Sequence, residues 1–393
     1  MMNAQAKRKK KPKQKAVSPF ETAIKSWVEQ LPAELLLSVP IKLDDLISRA
    51  PKRWVVYHPM VLLPSGSFGQ EWWSLLDLSL IQEKHKDELW QNVLNVIAKR
   101  EGKSNLTHLA INAGIPLQNI SDVQRENILR TPSGLIALHG DFGPELDPHH
   151  QPSEKDFENA FWVSTKQNGI IQTWAPRYTM FSRGNIKEKA RILEFHGSNQ
   201  NLKSRRKSEM ELGDQVAVDL YAGIGYFVFS YVKMGIGNVL GWELNPWSVE
   251  GLRRGAVANG WSVKVVREDE ILDLGKERII VVQEDNRKAA ERLMGKELRN
   301  ISHLNCGLLP TSEGIWDMSL EILPGDGWLH LHENVGVDDI EHRRSQVEEV
   351  LSASLMTKGD QREMKVEHVE LVKTFAPGVW HCVFDVYISS SIK

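Results

Sequence analysis

The chain has 393 residues, of which 41% are hydrophobic and 25% are charged, and its formal net charge is −2. This composition predicts a globular protein of two or three domains, and it excludes a uniformly basic nucleic-acid-binding surface, so any contact with RNA must come from local basic patches. No apolar run approaches the roughly 20 residues that span a bilayer. The only two cysteines, Cys306 and Cys382, have neither metal-site nor disulfide spacing, and we therefore expect a cytoplasmic protein.

Residues 1–17 form a basic arm with no apolar segment, so they do not read as a secretory signal. The lysines and arginine between Lys7 and Lys15 cannot bury a core, and we expect disorder. Two interpretations stay open: a solubilising or nuclear-localisation-like tail, and an electrostatic contact to phosphates.

Residues 18–168 predict a smaller α+β domain, which we interpret as RNA-positioning. Ser18 followed by proline is a helix-start signal. Residues 54–57 and 135–138 have the pattern of short strands, and residues 87–100 carry apolar side chains at helical spacing. This part of the chain carries no chemical signature.

Residues 169–393 predict a cofactor-binding α/β domain, and a predicted β-hairpin spans the boundary with the preceding domain. Two β-rich runs, 161–165 and 170–174, flank Asn168 and Gly169, a strong hairpin signal. A helix-like stretch then extends through Arg191. From residue 215 onward, strand and helix patterns alternate, which indicates a mostly parallel sheet with crossover helices.

The glycines after the first strand of this domain predict a ligand-binding turn. The buried-strand pattern 215–220 leads directly into Gly223 and Gly225, and a helix pattern follows over 226–234. Glycine lets a ligand approach the backbone, and the helix N-terminus offers unpaired N–H groups. The pattern alone also fits a purely structural turn or a dinucleotide site.

Acidic residues at successive strand ends favour an adenosyl ligand. Asp219 precedes the glycine turn, and Glu243 ends the next strand, where a carboxylate can accept both hydroxyls of a ribose. Asp285 and Asn286 follow a further β-rich run, which we take as the third strand, and an acid–amide pair there can read an adenine amino group. The alternative for that pair is an ordinary solvated loop. These groups should converge at the carboxyl edge of the sheet.

Six segments in order carry a family resemblance: 180–191, 219–227, 243–246, 305–312, 328–334 and 372–381. From about residue 160 to 388 the chain resembles the tRNA wybutosine-synthesizing protein 2 family, the aminocarboxypropyltransferase relatives of the tRNA guanine-N1 methyltransferases. The resemblance implies an α/β, class I methyltransferase-like (Rossmann-like) fold. It implies S-adenosylmethionine as co-substrate, held by Ser182, Lys189, Glu243, Asp285 and Asn286.

The resemblance also implies the reaction. The acceptor would be C7 of 4-demethylwyosine at position 37 of phenylalanine tRNA, which receives the 3-amino-3-carboxypropyl group while 5′-methylthioadenosine leaves. The methyltransferase relatives carry an Asn-Leu-Pro-type motif after the fourth strand, whereas this chain places Leu308 at the asparagine position. Asn305 lies three residues upstream, so a methyltransferase stays open as the alternative, as does a catalytically silent tRNA-binding subunit.

Candidate tRNA contacts and the remaining polar residues complete the predictions. The candidate tRNA-binding residues are Arg183, Asn305, Pro310, Lys203, Arg205, Arg206 and Lys207. Ser182 has a competing role as a helix cap, and Lys189 as a solvated helical lysine. The histidines His330, His332 and His381 indicate core or RNA-facing positions rather than a metal site, and we expect no metal. Trp174 and Trp380 are candidates for base stacking, with core packing as the alternative.

Overall fold

The computed structural model describes residues 18–32, 42–112, 134–147, 150–197, 210–296, 298 and 300–390. The basic arm and the candidate tRNA contacts Lys203, Arg205, Arg206 and Lys207 lie outside the described residues. The described chain divides into two compact units, one holding the residues up to 112 together with 134–142, and the other the residues from 143 onward.

In its described residues, the first unit combines four helices with a four-stranded sheet. The helices are α1 (Pro19–Gln30), α2 (Leu43–Ser48), α3 (Gln70–Leu76) and α4 (Glu83–Glu101). The sheet has the order β1 (Val55–Tyr57), β2 (Met60–Leu63), β3 (His108–Asn112) and β4 (Leu135–His139), with only β2 and β3 parallel. Buried aromatic rings, among them Trp27, Trp72 and Trp90, fill its core. The expected α+β composition, the helix start at Ser18 and the two short strands are confirmed.

The second unit is built on an eight-stranded sheet. Its helices are α5 (Glu154–Asn159), α6 (Ile186–Leu193), α7 (Val228–Met234), α8 (Pro246–Ala258), α9 (Ala289–Leu293), α10 (Trp316–Ile322) and α11 (Ile340–Thr357). Its strands are β5 (Val163–Gln167), β6 (Ile170–Trp174), β7 (Val216–Asp219), β8 (Asn238–Trp242), β9 (Val263–Arg267), β10 (Ile279–Gln283), β11 (Ile301–Cys306), β12 (Gly327–Gly336), β13 (Glu363–Ala376) and β14 (Val379–Ser389).

The large sheet has the strand order β13-β14-β12-β11-β7-β8-β10-β9. The six strands from β12 to β9 are parallel, and β14 and β13 extend the sheet as an antiparallel hairpin. Apolar clusters cover both faces, which explains why these strands are near-continuous hydrophobic runs. The carboxyl ends of the parallel strands share one edge, where α/β sheets bind ligands.

The hairpin β5–β6 is paired around Asn168 and Gly169 as expected. Both turn residues have positive φ angles, 51° and 71°, which the asparagine–glycine pair accommodates. The hairpin packs with the second unit, because Asn259 at the end of α8 bonds to the backbone of Ile171 on β6. The two units therefore divide at 142/143, upstream of the boundary expected at 168/169.

One detail of the strand order differs from the expectation. The strand β10, which precedes Asp285 and Asn286, is the fourth parallel strand in chain order and not the third, because β9 comes between. The sequence of β9, Val-Lys-Val-Val-Arg, includes two charged residues, which suits its position as the edge strand of the sheet. Within the described residues, no helix is long and apolar enough to cross a membrane.

Candidate functional site

The turn after β7 carries the predicted glycines in conformations that require glycine. Gly223 and Gly225 have φ angles of 53° and 90°. A Cβ atom at Gly223 would lie 2.9 Å from the ring of Tyr226, and one at Gly225 would lie 2.6 Å from the ring of Phe229. The backbone of this turn is therefore closely packed against aromatic rings, and any larger residue would displace it.

Glu243 lies beside this turn, at the end of the neighbouring strand β8. Its Oε2 atom accepts a hydrogen bond from the backbone N–H of Gly223, and its Oε1 atom accepts one from the N–H of Asn245, both over 2.8 Å. Each carboxylate oxygen has a second lone pair. The arrangement thus fixes an acid at the carboxyl edge of the sheet, where it can accept further hydrogen bonds from hydroxyl groups.

Asp219 is fully buried directly before the glycine turn. Its Oδ1 atom accepts hydrogen bonds from the N–H of Tyr221 and from Nδ2 of Asn305, and the backbone N–H of Val228 also favours the charged carboxylate. Its Oδ2 atom is buried and makes no close hydrogen bond with any of the described residues. Burial raises the pKa of this carboxyl to about 6, against the opposing effect of the hydrogen bonds. A buried acceptor without a partner is costly, so the site is suited to a ligand that donates a hydrogen bond or carries positive charge.

Lys189 on α6 is only 3% exposed, so its interpretation as a solvated helical lysine is wrong. Its Nζ atom donates to the side-chain amide oxygens of Gln167 and Gln172, at 2.7 and 2.8 Å, and no carboxylate of the described residues pairs with it. Burial lowers the pKa of this amine to about 8. A buried ammonium without a counterion is suited to an anionic ligand, and amide oxygens orient it without neutralising it.

Ser182 and Lys189 converge on Tyr226, a residue not predicted from the sequence. The hydroxyl of Tyr226 accepts from the backbone N–H of Ser182 and donates to the carbonyl of Met180, and its ring lies 5.7 Å from Nζ of Lys189. The Ser182 side chain makes no cap hydrogen bond, so its competing role as a helix cap is not realised. Tyr226 thereby connects the segment before α6 to the glycine turn.

Asp285 and Asn286 follow β10 at the same edge of the sheet. The Nδ2 atom of Asn286 donates to the carbonyl of Leu220, which places this amide beside the glycine turn. Asp285 instead pairs with the neighbouring Arg287, which, together with the backbone N–H of that residue, lowers its pKa. Asn286 is therefore the member of the pair that contacts the turn.

The candidate tRNA-binding residues differ in accessibility. Arg183 and Pro310 are exposed, but Asn305 is fully buried. Both ends of its amide are used within the protein, since Nδ2 donates to Asp219 and Oδ1 accepts from Nε2 of His332. In this arrangement, Asn305 holds the carboxylate of Asp219 in position, and its amide is not available to a base.

The three predicted histidines belong to a buried polar layer under the sheet edge. Nδ1 of His332 accepts a hydrogen bond from Nε2 of His381 over 2.9 Å. Burial lowers the pKa of His332 well below its usual value and lowers the pKa of His381 to about 4. His330 bonds to Asp385 and to His303. The core interpretation is confirmed, and the described residues contain no group of three side chains that could hold a metal ion.

Asp385 anchors this layer through a buried ion pair. Arg191 on α6 bonds to both Asp385 on β14 and Glu188. Burial raises the pKa of Asp385, but Arg191 and His330 outweigh this effect and hold it below the usual range. This pairing, which the sequence analysis missed, connects the helix carrying Lys189 to the antiparallel end of the sheet.

The remaining aromatic candidates are packed. Trp174 is buried and stacks on Phe181, with ring centroids 4.5 Å apart, and Trp380 packs against the core of the large sheet. Core packing is therefore confirmed for both. Cys306 and Cys382 are buried free thiols.

Comparison with known proteins adds the following. No protein-family model matches the chain. It is 43% identical over 340 residues to tRNA wybutosine-synthesizing protein 2 of Schizosaccharomyces pombe, covering 86% of this chain and 72% of that protein. It is 31% identical over 387 residues to the Saccharomyces cerevisiae protein of the same name, covering 88% and 76%.

Solved structures share the fold. Pyrococcus horikoshii TYW2, determined in complex with MeSAdo, superposes with a TM-score of 0.57 at 17% identity, covering 95% of this chain and 100% of that one. Trm5b of Pyrococcus abyssi superposes with a TM-score of 0.52 at 14% identity, covering 89% and 79%. At these identities the likeness shows the fold, and the expected class I methyltransferase-like architecture is confirmed.

Proposed function

Because the chain belongs to the tRNA wybutosine-synthesizing protein 2 family, we propose that it transfers the 3-amino-3-carboxypropyl group of S-adenosylmethionine to C7 of 4-demethylwyosine, at position 37 of phenylalanine tRNA. The reaction releases 5′-methylthioadenosine and takes place in the cytoplasm. The acceptor is the tricyclic base within the tRNA, and S-adenosylmethionine is the co-substrate.

The residues at the carboxyl edge of the sheet fit each part of this co-substrate. Glu243 would accept the two ribose hydroxyls, and Asp285 and Asn286 would read the adenine amino group. Lys189 would bind the carboxylate, and the unpartnered Oδ2 of Asp219 would accept from the ammonium group. The observation that carries the proposal is this pair of opposite charges, neither of which has an oppositely charged partner among the described residues, and the pair matches the zwitterionic amino-acid end of the molecule.

Positioning is the main task of these side chains. When bound, S-adenosylmethionine supplies a sulfonium with three attackable carbons, and its orientation decides which one faces the acceptor. Lys189 and Asp219 fix the amino-acid end, and Glu243 fixes the ribose end. Holding both ends would direct Cγ, rather than the methyl group, toward the bound base.

The end of β11 supports aminocarboxypropyl transfer over methyl transfer. Leu308 occupies the position of the asparagine that contacts the target base in the methyltransferases, and Leu308 has no amide to offer. Asn305, the nearest amide, is held by Asp219 and His332. The exposed Arg183 and Pro310 stay available for tRNA, and Lys203, Arg205, Arg206 and Lys207 would bind the phosphates of the anticodon stem.

The test is mass spectrometry of the products formed from S-adenosylmethionine and tRNA that carries 4-demethylwyosine. We expect methylthioadenosine and a base heavier by the whole aminocarboxypropyl group. S-adenosylhomocysteine with a singly methylated base would instead identify a tRNA methyltransferase. Binding of the tRNA without turnover would identify a silent tRNA-binding subunit.

A further inference from the structure

The hairpin β13–β14 ends at the same edge of the sheet as the cofactor turn. Gly336, the last residue of β12, pairs with Val379, the first residue of β14, and the N–H of Val337 donates to the carbonyl of Gly378 in the hairpin turn. Since β12 is parallel to β11, the hairpin turn lies at the carboxyl edge.

Phe375 is the most exposed large apolar side chain at this hairpin. It lies at a β-bulge, because Thr374 pairs with Trp380 and Ala376 pairs with Val379, which leaves Phe375 without a partner in the register. Its side chain is 61% exposed. Bulges on edge strands redirect a side chain, often next to an active site, and β13 is the edge strand of this sheet. The bulge thus points an aromatic ring into solvent beside the site.

Lys373, two residues before Phe375, is a cation to which the described part of the chain supplies no counterion. It is half-buried, and burial lowers its pKa, with no carboxylate acting in the opposite direction. Its ammonium lies against Gly184, where any side chain would collide with it, in the segment that carries Ser182 and Arg183. Its cross-strand neighbour His381 is held neutral by burial. A nearby anion would therefore be attracted without competition from an internal partner.

We infer that Phe375 and Lys373 form a binding site for one unpaired nucleotide of the tRNA anticodon loop. The ring of Phe375 stacks on the base, and the Lys373 ammonium binds the adjoining phosphate. An exposed aromatic ring beside an unpaired cation is the combination that single-stranded RNA requires, because unstacked bases need a flat apolar surface and the backbone needs positive charge. This inference rests on the proposed function for the identity of the RNA.

The test measures dissociation constants of tRNA carrying 4-demethylwyosine over a range of salt concentrations. Phe375→Ala should weaken binding by about 5- to 150-fold, the effect of losing one base–aromatic stack, and Phe375→Trp should retain affinity. Lys373→Gln should reduce the slope of log affinity against log salt by about 0.7, as expected for one single-strand phosphate contact. Affinity for S-adenosylmethionine should be unchanged in all three variants.

Two matched controls accompany these variants. Met356→Ala removes a 79% exposed side chain at the far end of α11, and Lys365→Gln removes a lysine near the other end of β13. Both should bind tRNA as the wild type does. If Phe375→Ala binds like Met356→Ala, or if Lys373→Gln keeps the wild-type salt slope, the inference is overturned.

The outcome separates this site from the proposed function. If the wild-type protein transfers the aminocarboxypropyl group but Phe375→Ala and Lys373→Gln behave like their controls, the proposed reaction is supported and this nucleotide site is ruled out. A wild-type protein that transfers nothing, but loses tRNA affinity on Phe375→Ala, would support the site and remove the reaction.

Discussion

Asn305 donates from Nδ2 to Oδ1 of Asp219 over 3.0 Å, between two neighbouring parallel strands at the point where both end. The other end of the amide accepts from Nε2 of His332 over 3.1 Å. The carboxylate of Asp219 can only accept, so the amide nitrogen faces it and the amide oxygen faces His332, whose pKa is lowered mainly by burial. Asn305 therefore positions the carboxylate that lies directly before the glycine turn.

Asn305→Ala should reduce the free energy of unfolding by about 1–3 kcal/mol, because Asp219 and His332 would each lose a buried partner. It should also weaken S-adenosylmethionine binding, since Asp219 would no longer be held in one orientation. Urea unfolding and calorimetric titration measure the two effects. Asn159→Ala, which changes an exposed asparagine at the end of α5, is the control and should change stability by less than about 0.5 kcal/mol. A wild-type unfolding curve for Asn305→Ala would contradict this role.

The ammonium of Lys189 predicts a pH dependence. Its pKa is lowered to about 8 by burial, so the side chain is charged below pH 8 and neutral above it. If this charge binds the co-substrate carboxylate, kcat/KM for S-adenosylmethionine should fall as the pH rises through about 8. The fall would be seen in initial rates measured at low S-adenosylmethionine concentration, from about pH 6.5 to about pH 9.5 in steps of about half a pH unit.

Lys189→Gln identifies the group responsible for that fall. The variant should raise KM for S-adenosylmethionine by about 10- to 100-fold at neutral pH, the range for one hydrogen bond to a charged group, and should remove the fall near pH 8. Lys187→Gln changes an exposed lysine on the same helix and should leave both quantities unchanged. A fall that persists in Lys189→Gln would assign the titration to another group.

Glu243→Ala should raise the dissociation constant of S-adenosylmethionine by about 10- to 100-fold while the protein stays folded. The ribose hydroxyls would lose the carboxylate that accepts their hydrogen bonds, and the N–H of Gly223 would lose its acceptor. Glu243→Gln keeps one oxygen for Gly223 and should have a smaller effect. Glu349→Ala, which changes an exposed acid on α11, is the control and should leave the affinity unchanged. Far-UV circular dichroism checks the fold, and unchanged affinity in Glu243→Ala would remove this residue from the site.

Local patterns were sufficient to predict much of the fold. The glycine turn, the acids at the ends of β7 and β8 and the hairpin at Asn168 each depend on neighbouring residues, and the structure has all of them. Strand ends in a parallel sheet lie at one edge, so the convergence of Asp219 and Glu243 followed from topology alone. The environment of Lys189 could not be predicted in this way, because Gln167 and Gln172 lie on a separate element, the preceding hairpin, and their contact with Lys189 depends on how α6 packs against it.

The buried polar layer also depends on long-range pairing. His303 and Asn305 on β11 alternate with apolar residues, as His330 and His332 do on β12, and this spacing could have indicated one polar face. The order of the strands decides which residues meet across that face. Asp385 reaches His330 because β14, which follows β13 in a hairpin, pairs with β12. Asn305 was accordingly predicted as a tRNA contact although the fold buries it.

The ion pair between Arg191 and Asp385 makes a prediction about stability. Arg191→Met would leave the buried carboxylates of Glu188 and Asp385 without a cation, and we expect a loss of about 3–5 kcal/mol in urea unfolding. Arg191→Met combined with Asp385→Asn should recover part of this loss, because one uncompensated charge is removed. Equal stability of the single and double variants would contradict the coupling.

The same ion pair predicts that the free energy of unfolding falls as the pH is lowered. The pKa of Asp385 is lower in the folded protein than its ordinary value of about 4, so the stabilisation is complete above pH 4 and is lost as the pH falls below it. Asp385→Asn removes this titration, and its free energy of unfolding should decline less steeply between about pH 4 and pH 2 than that of the wild type. Parallel acid slopes would mean that other carboxylates dominate acid unfolding, and that Arg191 does not hold Asp385 in its charged form.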